Sequence, residues 1–157
     1  FANLNFPNSR PFDAIIEPGS WRMETSTAKT ETNTVFLHTI EITDADKKEP
    51  VATEYIVTNG KKMEGAYILS GNKHYVVMFS QSSGGKGNNS GNIQLPVDYK
   101  LKSTAPTSHI LTELEPGKRV KISINNKDYG RFQTTGAGIL IFEDKEAGNR
   151  NIKIVAE

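Results

Sequence analysis

The three histidines, His38, His74 and His109, are the side chains best suited to proton transfer near neutral pH. Each lies in a segment that predicts a β-strand. A neutral imidazole can act as a general base or bind zinc. None of the three has a second histidine or a carboxylate beside it at ligand spacing. We therefore expect histidines that hydrogen-bond to their neighbours in a sheet, while a metal site assembled from distant strands stays open.

Acidic residues cluster in one charged segment, where Asp44, Asp46 and Glu49 stand close together. A glycosidase needs two carboxyl groups about 5 to 10 Å apart across a cleft. The Asp-x-Asp spacing lacks the glycine and the closing glutamate of a calcium loop. The sequence also contains neither a Gly-x-Ser-x-Gly elbow nor a His-Glu-x-x-His pair. We therefore expect a solvated loop here, and no catalytic residue, no metal and no cofactor in this chain.

Basic residues offer a different chemistry, because Arg and Lys pair with sulfates and carboxylates. Arg119, Lys121 and Lys153 are predicted to point outwards from two strands as a basic stripe. Such a stripe suits an anionic polysaccharide, although most basic stripes are ordinary solvated surface. Trp21, the single tryptophan, is either a platform that stacks on sugar rings or a core residue. These four residues form the candidate carbohydrate site.

Composition excludes several classes of protein. The 157 residues carry a net charge of +1, which argues against a nucleic-acid binder and against a dedicated heparin binder. The chain has no cysteine, so it has no disulfide and no thiolate zinc site. No apolar run approaches the roughly 18 residues of a membrane helix. We expect neither nucleic acid nor a membrane as a partner.

Residues branched at Cβ outnumber leucine and alanine together, and they favour strands over helices. The sequence has 14 Ile, 8 Val and 14 Thr against 8 Leu and 10 Ala. Glycine and proline cut it into short segments. The predicted strands are 21–24, 34–42, 53–58, 65–70, 73–80, 107–113, 118–125, 129–134, 138–142 and 151–156. The pattern is typical of an all-β, two-sheet antiparallel sandwich of about ten strands. Segment 34–42, apolar on both faces over its first half, is expected as a central strand.

The domain organisation follows from the prolines near the start of the chain. Residues 1–20 contain three X-Pro steps, which impose extended or turned backbone. Their apolar side chains predict a lead that docks on the following domain, and residues 21–157 form one sandwich domain. Since the sequence does not begin with Met, we expect a fragment of a longer polypeptide.

Two segments resemble the C-terminal region of heparinase II/III-type polysaccharide lyases. Residues 18–26 read PGSWRMETS and residues 35–40 read VFLHTI, similar to the family's Gly-x-Trp-Arg-x-Glu run and its Phe-Leu-His strand. Residues 111–117 and 138–142 look like the last hairpins of the same region. The resemblance covers roughly residues 19–157.

The resemblance implies a bacterial protein of the periplasm or the extracellular space that acts on uronic-acid polysaccharides. In the family, a helical toroid and a central sandwich carry the catalytic residues, and the C-terminal β-domain is an accessory. None of the catalytic motifs matches a position in this chain. The expectation is therefore a non-catalytic accessory sandwich whose partner is the catalytic domain of the same polypeptide. The alternative is a carbohydrate-binding module for acidic glycans. A third hypothesis is a small β-sandwich enzyme whose active site is formed by loops, with His38, His74 or His109 as the base.

Overall fold

The computed structural model describes residues 25–26, 36–42, 46, 49–80 and 92–157. The chain divides into two compact units, Phe1–Thr34 and Val35–Glu157, and all the strands described here belong to the second. They are β1 (Ala52–Val57), β2 (Met63–Ser70), β3 (Lys73–Ser80), β4 (Val97–Ser103), β5 (Thr107–Leu111), β6 (Arg119–Ile124), β7 (Lys127–Gln133), β8 (Leu140–Asp144) and β9 (Gly148–Ala156). Among the described residues, no helix has the length and apolarity needed to cross a membrane.

Two sheets make up the described part of the chain. One has five strands in the order β1-β2-β3-β5-β8, and the other has four in the order β4-β9-β6-β7. The expected all-β sandwich is confirmed, with nine strands in the described ranges. All pairs are antiparallel except β3 and β5, which run parallel. Between β3 and β5 the chain crosses to the second sheet, where it forms β4. It then returns to the first sheet, where β5 runs in the same direction as β3.

The core lies between the sheets and follows from strict alternation along the strands. In β6, Val120, Ile122 and Ile124 are buried, while the residues between them face outwards. The same alternation holds in β4, β5, β8 and most of β9. Side chains from both sheets therefore form one apolar cluster.

Tight turns fix the register of the neighbouring strands. Asn125 and Asn126 join β6 to β7 with φ angles of 52° and 63°, a left-handed conformation that asparagine tolerates well. Gly117 has a φ of 66° after Pro116, as the third position of a type II turn requires. These hairpins place the outward side chains of β6 and β7 in defined rows.

Parts of the sequence-based prediction differ from the structure or lie outside the described residues. Residues 36–42 form no strand and are exposed, so the central strand expected at 34–42 is wrong over this range. High β-propensity does not make a strand without a partner backbone to pair with. Strand β4 was not predicted, although Val97, Tyr99 and Leu101 alternate with polar residues. Trp21, strand 21–24 and the lead 1–20 lie outside the described residues, and the domain boundary at residue 20 stays a prediction.

Candidate functional site

His109, in the middle of strand β5, is fully buried between the two sheets. Its ring stacks on Phe142 with centroids 4.5 Å apart and planes within 5°. Its Nδ1 lies 2.8 Å from the hydroxyl of Tyr99, on the facing sheet. Its Nε2 has no hydrogen-bond partner in the part of the chain that the structure describes. Burial, reinforced by the positive charge of Arg150, lowers the pKa of His109 to about 3.

The protonation of this pair follows from counting partners. If Tyr99 donates to Nδ1, only the Nε2–H of His109 is left without a partner. If the Nδ1–H of His109 donated to the Tyr99 oxygen instead, the Tyr99 hydroxyl proton and the Nε2 lone pair would both be left without a partner. Burial raises the pKa of Tyr99, with a further contribution from the charge of Asp144, so the phenol keeps its proton. Tyr99 is therefore the donor, and His109 is held neutral.

His74 repeats this arrangement on the adjacent strand. It is buried, and its Nδ1 lies 2.5 Å from the hydroxyl of Tyr67, whose ring meets the imidazole edge-on. His38 is exposed in the coil before β1. The expected hydrogen-bonded histidines are thus found at two positions, while the strand expected around His38 is wrong.

A buried ion pair between Arg150 and Asp144 lies in the same interior region as His109. Arg150 of β9 donates through Nε and Nη2 to the two carboxylate oxygens of Asp144 on β8, at 2.5 and 2.8 Å. Both side chains are nearly fully buried, and Arg150 also contacts Glu146 at 3.0 Å. The hydrogen bonds that Arg150 donates to Asp144 raise the pKa of the guanidinium. Arg150 and Asp144 are both committed to this buried pair, which leaves neither of them exposed for acid–base work.

The structure describes two of the three acidic candidates. Asp46 and Glu49 are exposed, and Asp44 lies outside the described residues. Among the described residues, no group of three or more His, Asp and Glu side chains could hold a metal ion. The sequence candidates for acid–base and metal chemistry are therefore not brought together in this part of the chain.

The basic candidates do share a surface, the outward side of the four-stranded sheet, called here the cationic face. Arg119 and Lys121 alternate along β6, and Lys153 lies on the adjacent strand β9, opposite Ser123. Alternate residues of a strand are about 6.8 Å apart and neighbouring strands about 4.8 Å apart. The predicted stripe of Arg119, Lys121 and Lys153 therefore forms one local group of charges.

Three further basic residues of this face were missed from the sequence. Lys100 and Lys102 point outwards from β4, and Arg131 of β7 lies opposite Lys121. Lys100 pairs with Asn151 and Lys102 with Asn149 across the β4–β9 ladder. The alternation of β4 was the signal that could have found both lysines.

Acidic residues on the cationic face are fewer, and each is already engaged. Asp128 binds Lys121 at 3.0 Å, and this hydrogen bond lowers the pKa of the aspartate. Glu157 binds Arg131 at 2.8 Å. Asp98 accepts a hydrogen bond from the Asn59 side chain. Six basic side chains therefore stand against three acidic ones, and four of the six make no ion pair with a described residue: Lys100, Lys102, Arg119 and Lys153.

A depression of about 380 Å³ opens at the β4–β9 end of this face. Lys100, Lys102, Asn149 and Asn151 line it, together with Leu101, Arg150 and Asn125 of the β6–β7 turn. Cations and amides thus border a concave surface whose exposed lining is mostly apolar. Amides can hydrogen-bond to hydroxyl groups, and lysines can pair with anions.

The outward side of the five-stranded sheet has a contrasting character. Strand register places Tyr55, Ala66, Val77, Ile110 and Ile141 side by side, one from each strand, and we call these five residues the apolar row. Tyr55 is 65% exposed and Ile141 is 58% exposed at the two ends. Sheets in a two-layer sandwich usually present polar residues to water. The four-stranded sheet therefore presents charged side chains outwards, whereas the five-stranded sheet presents this apolar row.

Comparison with known proteins does not assign the chain to a family. No family model matches it, and no curated protein matches it. The likeness to the heparinase II/III-type lyases thus rests on the sequence segments given above. One of them, residues 18–26, lies outside the described residues apart from Thr25 and Ser26.

Proposed function

We propose that this chain is a non-catalytic accessory β-sandwich that contacts an acidic polysaccharide through its cationic face. The observation that carries the proposal is the row-by-row placement of six basic side chains on one sheet, four of them without an ion pair among the described residues. Charge-assisted hydrogen bonds from such groups to carboxylates and sulfates are stronger than neutral ones. The candidates Arg119, Lys121 and Lys153 all belong to this face, and the role of Trp21 stays a prediction.

A polysaccharide fits the cationic face better than a nucleic acid does. Proteins that bind single strands combine basic residues with exposed aromatic rings on which bases stack. The outward positions of β4, β6, β7 and β9 carry no aromatic side chain, since Tyr129 and Phe132 turn towards Phe142 and the core. They carry amides and a hydroxyl instead, which suit the hydroxyl groups of sugars.

The accessory role, which the resemblance suggests, is supported by the apolar row. The ends of the row, Tyr55 and Ile141, are exposed while Ala66 between them is buried, and exposed apolar side chains of this size commonly mark a contact with another protein surface. The occupant proposed here is the catalytic domain of the same polypeptide, a polysaccharide lyase of the periplasm or the extracellular space. The histidines support a non-catalytic role, because His74 and His109 are buried and hydrogen-bonded in the core.

Titration with alginate and heparin at low and high salt tests the cationic face. We expect saturable binding that weakens as salt rises, because exposed ion pairs are screened. Arg119→Gln and Lys153→Gln should each weaken binding several-fold. Lys73→Gln is the matched control, since Lys73 lies on the other sheet and pairs with Glu143. Binding that ignores salt, or that Lys73→Gln weakens equally, would refute the proposal.

An assay of the isolated chain for unsaturated uronate absorbance tests the non-catalytic role. We expect no turnover of alginate, heparin or another uronic-acid polymer. Turnover that survives repurification, and that a histidine substitution abolishes, would instead support an enzyme.

The stability of Ile141→Ser tests whether the apolar row awaits a partner outside this chain. We expect a free energy of unfolding within about 0.5 kcal/mol of the parent, as for ordinary surface substitutions. Ile110→Ser, nearer the middle of the row and half-buried, provides the comparison and should cost more. A loss above about 2 kcal/mol for Ile141→Ser would mean that this chain itself covers the row.

A further inference from the structure

Resting on the proposed function, we infer that the depression between β4 and β9 is the subsite that holds a single acidic sugar residue of the bound polysaccharide. The rest of the cationic face then holds neighbouring sugars by charge alone. The four side chains that make the subsite are Lys100, Lys102, Asn149 and Asn151, none of which belonged to the sequence-based candidate site.

Two cations stand at one wall of the depression. Lys100 and Lys102 project from alternate positions of β4, which puts their Cα atoms about 6.8 Å apart on the same side of the sheet. Both are exposed and neither forms an ion pair with a described residue. Two flexible ammonium groups at this spacing can converge on one carboxylate or one sulfate.

Two amides stand opposite the lysines on β9. Asn149 faces Lys102 and Asn151 faces Lys100 in the ladder. Their backbones hydrogen-bond to Asn125, but neither side-chain amide bonds to a described residue. Each is therefore available to donate to and accept from a sugar hydroxyl.

The base of the depression is held in place by bonds that a ligand need not disturb. The Asn125 side chain donates to the carbonyl of Asn149 at 2.9 Å and accepts from the backbone N–H of Asn151 at 2.8 Å. Arg150, between them in the sequence, is fixed by Asp144 and Glu146. Because the strand is fixed on both sides of the site, binding need not order the backbone, and the ordering cost falls on the lysine side chains.

The chemistry separates this site from the remainder of the face. A second depression of about 360 Å³ is lined by Arg119, Arg131, Gln133 and Glu157, but Glu157 binds Arg131 there and offsets its charge. The depression between β4 and β9 combines charge with amides in a concave surface of about 380 Å³. It therefore recognises both the anionic group and the hydroxyl pattern of one residue.

Calorimetry with short, defined ligands on the full chain tests the inference. The probes are a carboxylated alginate tetrasaccharide, a sulfated heparin tetrasaccharide, and a neutral mannose tetrasaccharide. We expect saturable binding of an acidic probe and none of the neutral one. Comparison of the first two tells whether carboxylate or sulfate is preferred, and either preference supports the site.

Substitutions of the residues that line the depression test whether the acidic sugar binds there. Lys100→Gln and Asn151→Ala should each weaken the acidic tetrasaccharide by about tenfold, the value of one good polar or charged contact. Lys73→Gln, on the other sheet, is the matched control and should change tetrasaccharide binding by less than about twofold. Arg119→Gln, which can contact a neighbouring sugar, should weaken the tetrasaccharide less than Lys100→Gln does. Equal loss for Lys100→Gln and Arg119→Gln would overturn the subsite.

The outcomes also separate the subsite from the proposed function. Salt-sensitive binding of polymers without saturable binding of any tetrasaccharide would overturn the subsite and leave the proposed function standing. No binding of polymer or tetrasaccharide would overturn both. Binding of single-stranded oligothymidylate as tight as alginate of equal charge would overturn the assignment to a sugar, because the face would then bind any polyanion.

Discussion

Replacing His109 with phenylalanine should change the pH dependence of stability as well as its magnitude. In the native protein the pKa of His109 is about 3, against 6.5 for a free imidazole, because the ring is buried. Between these values the unfolded chain binds a proton that the folded chain does not. Stability therefore falls as pH is lowered through this window and is level above it.

The magnitude follows from the width of the window. Each unit of pH within it is worth about 1.4 kcal/mol, so His109 alone should remove about 2 kcal/mol between pH 8 and pH 5. Carboxylates contribute little above pH 5, because their ordinary pKa values lie near 4. The phenylalanine variant should lose this slope. At pH 8 it should also be less stable by about 1 to 3 kcal/mol, since the Tyr99 hydroxyl is left buried without an acceptor.

Urea unfolding at pH 5, 6, 7 and 8, followed by circular dichroism, measures both effects. Tyr99→Phe combined with His109→Phe removes both partners and should recover part of the loss at pH 8, with the slope still absent. His38→Gln is the control, because His38 is exposed and should keep the parent pH dependence. If His109→Phe keeps the parent slope between pH 8 and pH 5, the reasoning from burial fails.

Two other substitutions test how the sandwich is held together. Asp144→Asn should cost about 3 to 5 kcal/mol in thermal or urea unfolding, because it leaves a buried guanidinium without its charged partner, whereas Glu146→Gln, at an exposed carboxylate, should cost less than about 1 kcal/mol. Gly138→Ala should destabilise by more than about 1 kcal/mol, since Gly138 has a φ of 72° and an added Cβ would lie 2.1 Å from a backbone carbonyl oxygen. Gly136→Ala, with nothing within 4 Å of its Cβ, should be nearly neutral, and equal effects at the two glycines would contradict this account.

The fold was largely predictable because alternation decides which side of a sheet each residue faces. The segment 73–80 was predicted with the observed bounds, and the strand predicted at 118–125 is found as Arg119–Ile124. The exceptions have physical causes. Residues 36–42 have the composition of a strand, but pairing depends on a neighbour that local sequence does not specify. The parallel pairing of β3 with β5 depends on the path of the chain through the second sheet, which no local pattern encodes.

The candidate site was predictable only in part, for a related reason. Alternation along β6 placed Arg119 and Lys121 outwards, and this placement is confirmed. Lys100 and Lys102 were missed with their strand. The partners of His109 were not predictable, because Tyr99 and Phe142 reach it from strands that are distant in sequence or in the other sheet.

The net charge of the chain turned out to be a poor guide to its surface. A total of +1 argued against a dedicated heparin binder. Yet six basic and three acidic side chains lie on one sheet, so the rest of the chain is net negative. Electrostatic attraction falls off over about 8 to 10 Å in physiological salt, so a bound polymer responds to the local face and not to the total. A nearly neutral protein can therefore present one cationic face, and the salt dependence of glycan binding should report the charges of that face alone.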